Sequence, residues 1–567
     1  MADLHVSKKN ISKLLTDIKG RKFIIPDFQR PYKWNIEKCE TLWNDIESFS
    51  QSEAQDGSDY FLGTIVSYIN EDKNQEIIDG QQRLTSFFLL LRAFYKKLES
   101  MPEDDDVKGL KNQIAPCIWD IDPISQKVKD FKNIHIESMV ATEEDNEVFH
   151  QVLETGIADS SLTDNYSKNY IFFKLKCDSY AESNPLQWKQ LCVTILTQCI
   201  ILPIECETSE TALTIFSTLN DRGLPLSDSD IFKAQIYKSK VSKEERKDFT
   251  NTWKELTQTC KYANLQIDDI FRYYSHVLRA EANDKTKEVG LRKFYSIDSN
   301  KRLKEEGLMD DIIFLANFWY YVNTQENPEE YEEEYKISQE SQKYLHCLSL
   351  YPNDFWKYPT TVFFYVNYSS EDFSNEFTEF LKQLISNLFT KFINYPSVNA
   401  IKDDTYNTCI SIFNGDGLKY RHVLNKELFR YEIVKHSSSR LSRALLLLHA
   451  YLNQKQQNII PYTFDIEHIF PKKWQDTNYN GWNISDALQY LDRFGNKIIF
   501  EKKLNIQAGN GYFGIKKIKY AQSQIATVLD LGNYPFSDWV KKDIEQREEQ
   551  FIGDILSFFE KYIPVEV

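Results

Sequence analysis

The residues best suited to chemistry in this chain lie in one short run, Asp465-Ile-Glu467-His468-Ile-Phe-Pro471, joined later by Asn496 and Asn505. The run sits in an apolar, strand-like stretch that begins at Tyr462. A second strand-like stretch follows, Asn496-Lys-Ile-Ile-Phe500, and then a polar run, Glu501-Lys-Lys-Leu-Asn505, that suits a short helix. The layout predicts two strands and one helix carrying an acid, a histidine and two asparagines. Such a set can hold one divalent cation and one general base against a phosphodiester. Hydrolysis of that bond needs a water deprotonated near neutral pH and positive charge on the phosphate and the leaving oxygen. His468 has the side chain for the first task. Glu467, with Asp465 as its rival, and Asn505 offer oxygen ligands for the second, and oxygen ligands favour Mg²⁺ or Mn²⁺ over Zn²⁺. No cysteine follows Cys409, so a zinc ribbon beneath this element is not expected. Asn496 is expected to brace the loop that carries His468. Taken singly, His468 reads as a half-buried strand histidine; the constellation carries the argument.

A second candidate site lies near the N-terminus, in Ile25-Pro-Asp-Phe-Gln29-Arg30-Pro-Tyr-Lys-Trp34 and Ile77-Ile-Asp79-Gly80-Gln81-Gln82-Arg83-Leu-Thr85. The latter reads as strand, turn and helix. Gly80 lets the backbone turn tightly and approach a ligand closely. The helix start offers unpaired N–H groups and a positive dipole end, a natural seat for phosphate. Arg83 adds a fork that grips phosphate oxygens in pairs. Gln29 and Arg30 could converge from the other loop, and Asp79 could hold a metal or orient water. The plainer alternative is an Asp-Gly turn into an amphipathic helix, with Arg30 and Arg83 paired to Asp27 or Asp79.

These elements must be positioned by the rest of a 567-residue chain, a length that suggests two to four domains. An apolar content of 42% and an aromatic content of 14% are those of a folded protein. No apolar run reaches the length of a membrane span, and the first residues lack the apolar core of a signal peptide. The nine cysteines are scattered without CxxC pairs, which fits reduced thiols and a cytoplasmic protein. The net charge of −16 argues against a general nucleic-acid coat. It leaves room for a local basic face, for which Lys497, Lys502, Lys503, Lys516, Lys517 and Lys519 are the candidates. The fold class expected is α+β and predominantly helical. Residues 1–125 are read as a small α+β domain, 126–430 as a helical connector and sensing region, and 431–567 as the domain carrying His468. Short amphipathic helices are expected at Asn10–Ile18 and Thr41–Phe49, strands at Tyr60–Ile69 and Gln75–Ile78, and an apolar helix at Gln81–Leu98. Gly509-Asn-Gly511-Tyr-Phe-Gly514 matches GxGxxG but follows a helix-like segment, so a loop is expected there rather than a dinucleotide site. The chain has no GxxxxGK[ST] motif, so any triphosphate hydrolysis is not of the P-loop type.

The run Asp-x-Glu-His-Ile-x-Pro, with Gly495-Asn496-Lys and then Asn505 nine positions on, resembles the HNH, or ββα-metal, nucleases. RNA-guided HNH nucleases show the same spacing. Both N-terminal segments resemble the first domain of the GmrSD family, whose fold is related to ParB and sulfiredoxin. A third segment is similar to that family too: Ile215-Phe-Ser-Thr-Leu-Asn220-Asp-Arg222-Gly223-Leu-Pro-Leu-Ser227-Asp-Ser-Asp230. Gly511, Phe513, Lys516 and Lys517 continue the likeness after Asn505. The resemblance implies a type IV, modification-dependent restriction enzyme of antiphage defence. Its N-terminal half would bind and hydrolyse a nucleoside triphosphate, and its C-terminal half would cut DNA. On that reading Asp79 and Arg83 serve the triphosphate reaction. Gln29, Arg30, Gly80, Gln81 and Gln82 contact the nucleotide, as do Asn220 and Arg222 unless these only end a helix at Gly223. The implied partners are double-stranded, modified phage DNA, a triphosphate of unspecified base and, as an open expectation, a second copy of the chain. The alternatives are a non-catalytic nucleotide or DNA sensor on an inactive nuclease scaffold, and a helical adaptor.

Overall fold

The computed structural model describes residues 4–565 apart from 19, 27–28, 53–56, 141–142, 160, 162–163, 209–210, 213–214, 216–226, 287, 328–335, 398–400, 421–422 and 476–480. The chain is α+β and mostly helical, and its contacts divide it into two compact units, Met1–Trp253 and Lys254–Val567. Among the described residues no helix is long and apolar enough to cross a membrane. All nine cysteines are unpaired and buried.

The first unit is built on a mixed sheet. Its strands are β1 (Leu4–Val6), β2 (Lys9–Asn10), β3 (Phe23–Ile25), β4 (Tyr60–Ile69), β5 (Gln75–Asp79), β6 (Ile136–Ser138) and β7 (Cys199–Cys206). The order is β1-β7-β4-β5-β3-β6, with β2 also on β7. β4 runs antiparallel to β5, while β3 lies between β5 and β6 and parallel to both. Helix α1 (Ile11–Thr16) starts where Asn10 accepts from the Lys13 N–H at 2.8 Å, the cap its sequence predicts. Helix α2 spans Ile36–Ser52 and is longer at both ends than expected. Helix α3 (Gln81–Glu99) is buried nearly all round, which is how a central helix reads when its apolar residues cover more than one stripe. It packs with α4 (Asp105–Ile118), α5 (Glu143–Thr155) and α6 (Asn165–Ser183), while α7 (Trp188–Thr197) leads into β7. One core gathers Phe23, Phe87, Phe88, Leu91, Trp119, Phe173 and Ile201. Residues on both sides of the border expected near 125 therefore share this sheet and core. Helix α8 (Asp228–Ser239) begins with a capping box in which Ser227 and Asp230 bond reciprocally.

The second unit opens with aromatic-rich helices, among them α9 (Ile267–Glu281), α10 (Leu308–Thr324), α11 (Gln339–Ser349), α12 (Lys357–Asn367), α13 (Phe373–Asn394) and α14 (Lys402–Phe413). Phe318 and Phe364 stack at 3.8 Å, and Trp319 donates to Thr361 Oγ1 at 3.1 Å. After α15 (Ser442–Leu452) comes an antiparallel hairpin, β8 (Phe464–His468) with β9 (Lys497–Glu501). Helices α16 (Lys502–Ala508), α17 (Phe513–Tyr520), α18 (Ala526–Gly532) and α19 (Lys541–Phe559) follow. The helical stretch and the hairpin, on either side of the border expected near 430, fall within the same unit.

Candidate active site

The hairpin register places His468 opposite Lys497 and Asp465 opposite Phe500. Side chains alternate along a strand, so Phe464, Ile466 and His468 share one face of β8 and Asp465 and Glu467 the other. Helix α15 covers the first face, where Arg443 donates to Phe464 O at 2.7 Å and its guanidinium lies over the Phe464 ring. Helix α16 leaves β9 without a linker and packs back on both strands. Two strands and one helix thus stand where the sequence places them.

His468 is 8% exposed, and its Nε2 lies 3.1 Å from Asp492 Oδ1. Lys497 Nζ approaches the same oxygen at 2.8 Å. Hydrogen bonds from Lys497 and His468 outweigh the burial of Asp492 and hold its carboxyl below the usual range. Burial pushes the His468 imidazole down to about 4, with Asp492 opposing and Lys472 and Lys497 adding to the drop. The ring is therefore neutral near pH 7. With Nε2–H directed at Asp492, Nδ1 keeps its lone pair, and it makes no hydrogen bond among the described residues. Asp492 is a functional candidate that the sequence reading missed. It lies 24 positions from His468 in an unremarkable polar run, and no local pattern marks it.

On the opposite face Asn505 Nδ2 donates to Asp465 Oδ2 at 3.1 Å. Glu467 is 6% exposed and engaged elsewhere, by Lys516 Nζ at 2.6 Å and Tyr520 Oη at 2.9 Å. A cation at Glu467 would meet the Lys516 ammonium. The donor set that suits a hard divalent ion is therefore Asp465 with Asn505, whose amide needs only to turn to present its carbonyl oxygen. Two protein oxygens completed by waters match the way Mg²⁺ is held. Among the described residues there is no cluster of three or more Asp, Glu, His or Cys side chains placed to bind a metal.

Asn496 does what its expected bracing role requires. It is fully buried; its Oδ1 accepts from Phe470 N at 2.7 Å, and its Nδ2 donates to Phe470 O and Leu491 O. The turn around it is clamped by α19. Glu548 accepts from Arg493 Nε at 2.7 Å and Phe494 N at 3.0 Å, while Arg547 Nη1 donates to the carbonyls of Phe494, Gly495 and Lys497. Gly495 is required there, because a Cβ would stand 1.9 Å from Ile544 O.

The lysines expected on a basic face separate. Lys502 and Lys503 are exposed on α16. Lys497 and Lys516 are buried instead. Lys497 donates to Ser437 O and Ser438 Oγ besides pairing with Asp492, and Lys516 donates to His468 O. Lys517 donates to Tyr534 O and Phe536 O, and Lys519 to Gln507. On β9 packing turns Lys497, and on α17 spacing turns Lys516 and Lys517, toward backbone carbonyls and acids, which a charge count along the sequence does not reveal. The GxGxxG stretch is the turn between α16 and α17, where Asn510 bonds reciprocally with the Lys473 backbone.

In the first unit, β5, Gly80 and α3 form the expected strand, turn and helix. Gly80 is left-handed at φ +89°, and a Cβ there would stand 2.7 Å from Ile65 Cγ1. The ends of the parallel strands β3, β5 and β6 bring Pro26, Asp79 and Ser138 to one edge of the sheet, the edge at which such sheets bind ligands. Burial raises the Asp79 carboxyl, against the opposing Gly80 N–H, Arg83 and Arg30; burial lowers the Arg83 guanidinium, with Asp79 opposing. Arg83 Nη1 donates to Thr64 O at 3.1 Å and lies against Gly63. The glutamines act as braces. Gln29 donates to Ile78 O, Gln81 to Arg30 O, and Gln82 both accepts from Lys33 N and donates to Pro31 O. Gln81 Oε1 and Ser138 Oγ are buried with no hydrogen bond among the described residues, and the sequence reading did not single out Ser138. Asn220 and Arg222 lie outside the described residues.

Residues 11–237 match the N-terminal domain of the GmrSD restriction endonucleases, and residues 424–553 match their C-terminal domain. The first match contains the sheet and the Asp79–Arg83 turn, the second the hairpin with His468. Together they span more than half of the chain, which belongs to the GmrSD restriction endonuclease family: a hydrolase whose substrate is DNA. No curated relative matches the chain.

Proposed function

We propose that the hairpin and α16 form an HNH-type, metal-dependent nuclease centre and that the ParB/sulfiredoxin-like first unit binds and hydrolyses a nucleoside triphosphate that regulates it. The observations that carry the nuclease reading are the His468–Asp492 contact and the Asp465–Asn505 contact, gathered within one hairpin and the helix that follows it. His468 Nδ1 takes the proton of the attacking water, and Asp492 holds the ring in the tautomer that leaves Nδ1 basic. Asp465 and Asn505 would hold Mg²⁺ or Mn²⁺, which when bound offsets charge on the scissile phosphate. Asn496 fixes the loop after His468, so the base is held by the backbone it stands on. Lys502 and Lys503 face the DNA backbone, where each contact adds salt-sensitive affinity.

The triphosphate reading rests on the half-buried Asp79 and Arg83 beside Gly80 and the start of α3, where phosphate meets both a guanidinium and unpaired N–H groups. Dependence on modified DNA and a role in antiphage defence follow the likeness to the GmrSD family. The test is cleavage of plain and modified phage DNA with Mg²⁺ or Mn²⁺, with and without each triphosphate, in parallel with His468→Ala. Metal-dependent cutting that the variant lacks is the expected result. Equal cutting by the variant, or none by either protein on any substrate, overturns the nuclease reading in favour of a sensor.

A further inference from the structure

The peptide group that follows His468 is held at both ends. Its N–H, on Ile469, donates to Asn496 O at 2.9 Å, and its carbonyl oxygen, on His468, accepts from Lys516 Nζ at 2.6 Å. A peptide group is planar, so fixing both ends leaves the His468 backbone little freedom to turn. The direction of the Cα–Cβ bond is fixed with it, and with that the place of the imidazole. Strand β8 ends at His468, and these two bonds hold the chain where the strand pairing stops.

Lys516 reaches the carbonyl from α17, whose buried face consists of Phe513, Lys516 and Tyr520. It is 1% exposed, and its ammonium meets Glu467 Oε1 at 2.6 Å. Tyr520 Oη, one turn further along α17, donates to the same oxygen at 2.9 Å. Taking two charges out of water is costly, and uncharged groups of similar volume are commonly as stable or more so. Removing one partner alone is a different matter, because it strands the other charge. The fold as a whole therefore gains little from the pair. What the ammonium supplies and an apolar side chain does not is a strong, charge-assisted donor to His468 O. We propose that Lys516, paired with Glu467, is a positioning residue for DNA cleavage that aims His468 at the attacking water by holding the His468 carbonyl. The inference rests on the reading of His468 as the base, and it gives a lysine expected on the DNA face a role inside the protein.

The experiment replaces both charges at once, Lys516→Met with Glu467→Gln, so that neither is stranded and Tyr520 keeps an acceptor. Thermal unfolding and steady-state cleavage at saturating Mg²⁺ are measured on the full-length protein, with a DNA that the wild type cuts. The double variant is expected to unfold within about 5 °C of the wild type. Its KM for DNA and its half-maximal Mg²⁺ should be unchanged, while kcat falls by about 10–100-fold, the loss expected when a reacting group is slightly misplaced. A stable double variant that cuts at the wild-type rate overturns the proposal, because the pair then only packs the hairpin. So does a loss that more Mg²⁺ restores, which makes Glu467 a metal ligand, or a raised KM with normal kcat, which makes Lys516 a DNA contact. Lys516→Leu with Glu467→Met serves if the first pair does not fold; if neither folds, the role is structural and the proposal falls. His468→Ala in the same assay separates the two readings. If it cuts normally, the base reading fails and this inference with it; if it is inactive while the double variant cuts normally, this inference alone fails.

Discussion

Asn505 donates to Asp465 at 3.1 Å, whereas Glu467, two positions along the same strand face, is held by Lys516 and Tyr520. Two acids that look interchangeable in the sequence thus have separate surroundings, and their substitutions should separate as well. Asp465→Ala should raise the Mg²⁺ needed for half-maximal cleavage by roughly tenfold or more and leave thermal stability nearly unchanged. Glu467→Ala should instead destabilise the protein by about 3–5 kcal/mol, because it strands the Lys516 ammonium in the interior. Metal titrations of cleavage and thermal unfolding of both variants decide this. A Glu467 variant of normal stability and weakened metal response would reverse the assignment.

His468→Ala should lower the cleavage rate by about 10²–10⁴-fold with little change in fold. Asp492→Asn should give a smaller loss, since it weakens the hold on the imidazole without removing the base. Nicking of plasmid DNA at saturating Mg²⁺ measures both. An Asp492 variant that cuts at the normal rate would show that the contact only packs the loop.

Gly495→Ala should be costly although glycine there is not left-handed. The added methyl meets Ile544 O at 1.9 Å, and α19 cannot withdraw without breaking the Glu548 and Arg547 contacts to the same turn. A loss of about 1–3 kcal/mol is expected, together with reduced cleavage as Asn496 loses its register. Chemical unfolding and the nicking assay should change together; unchanged stability would mean that the turn is more pliant than its contacts indicate.

Asp79→Asn should abolish triphosphate hydrolysis and alter DNA cleavage by the same protein. Couplings between sites typically amount to about 1–3 kcal/mol, or roughly 5–150-fold. Hydrolysis and cutting by one purified variant test both halves of the statement. Lost hydrolysis with normal cutting on every substrate would make the two sites independent.

The second unit should weaken in mild acid through His346. Burial first, and then Arg443, push its imidazole down to about 4 against an ordinary 6.5. Its Nδ1 bonds Tyr451 Oη at 2.8 Å, and its ring stacks on Tyr462 at 4.0 Å. The unfolded chain takes up this proton near 6.5 and the folded chain only near 4, so stability present above 6.5 falls as the pH drops between these values. The loss should be about 2 kcal/mol at pH 5 relative to pH 8. His346→Gln should lose that much less across the same interval in denaturant unfolding; equal losses would place the acid sensitivity elsewhere.

The local elements were legible because their signals are local. Asn10 caps α1, Asp79-Gly80 turns into α3, and the aromatic and β-branched run of β4 and the acid-histidine run of β8 are properties of neighbouring residues. Composition and spacing by themselves also determined that the chain folds, that it is α+β, and that one element of two strands and a helix carries an acid, a histidine and two asparagines. What the tertiary structure decided depends on residues far apart in the chain. Strand β7 joins a sheet begun nearly 200 positions earlier, and pairing across that distance leaves no periodic mark near Cys199. Lys497 and Lys516 read as surface charge until packing turns them toward Asp492 and Glu467. Asp492 becomes the partner of His468, and Asp465 rather than Glu467 becomes the partner of Asn505, only when the hairpin closes. Residue type sets which chemistry a side chain can do, and burial and partners, which only the fold supplies, set which of those side chains are placed to do it.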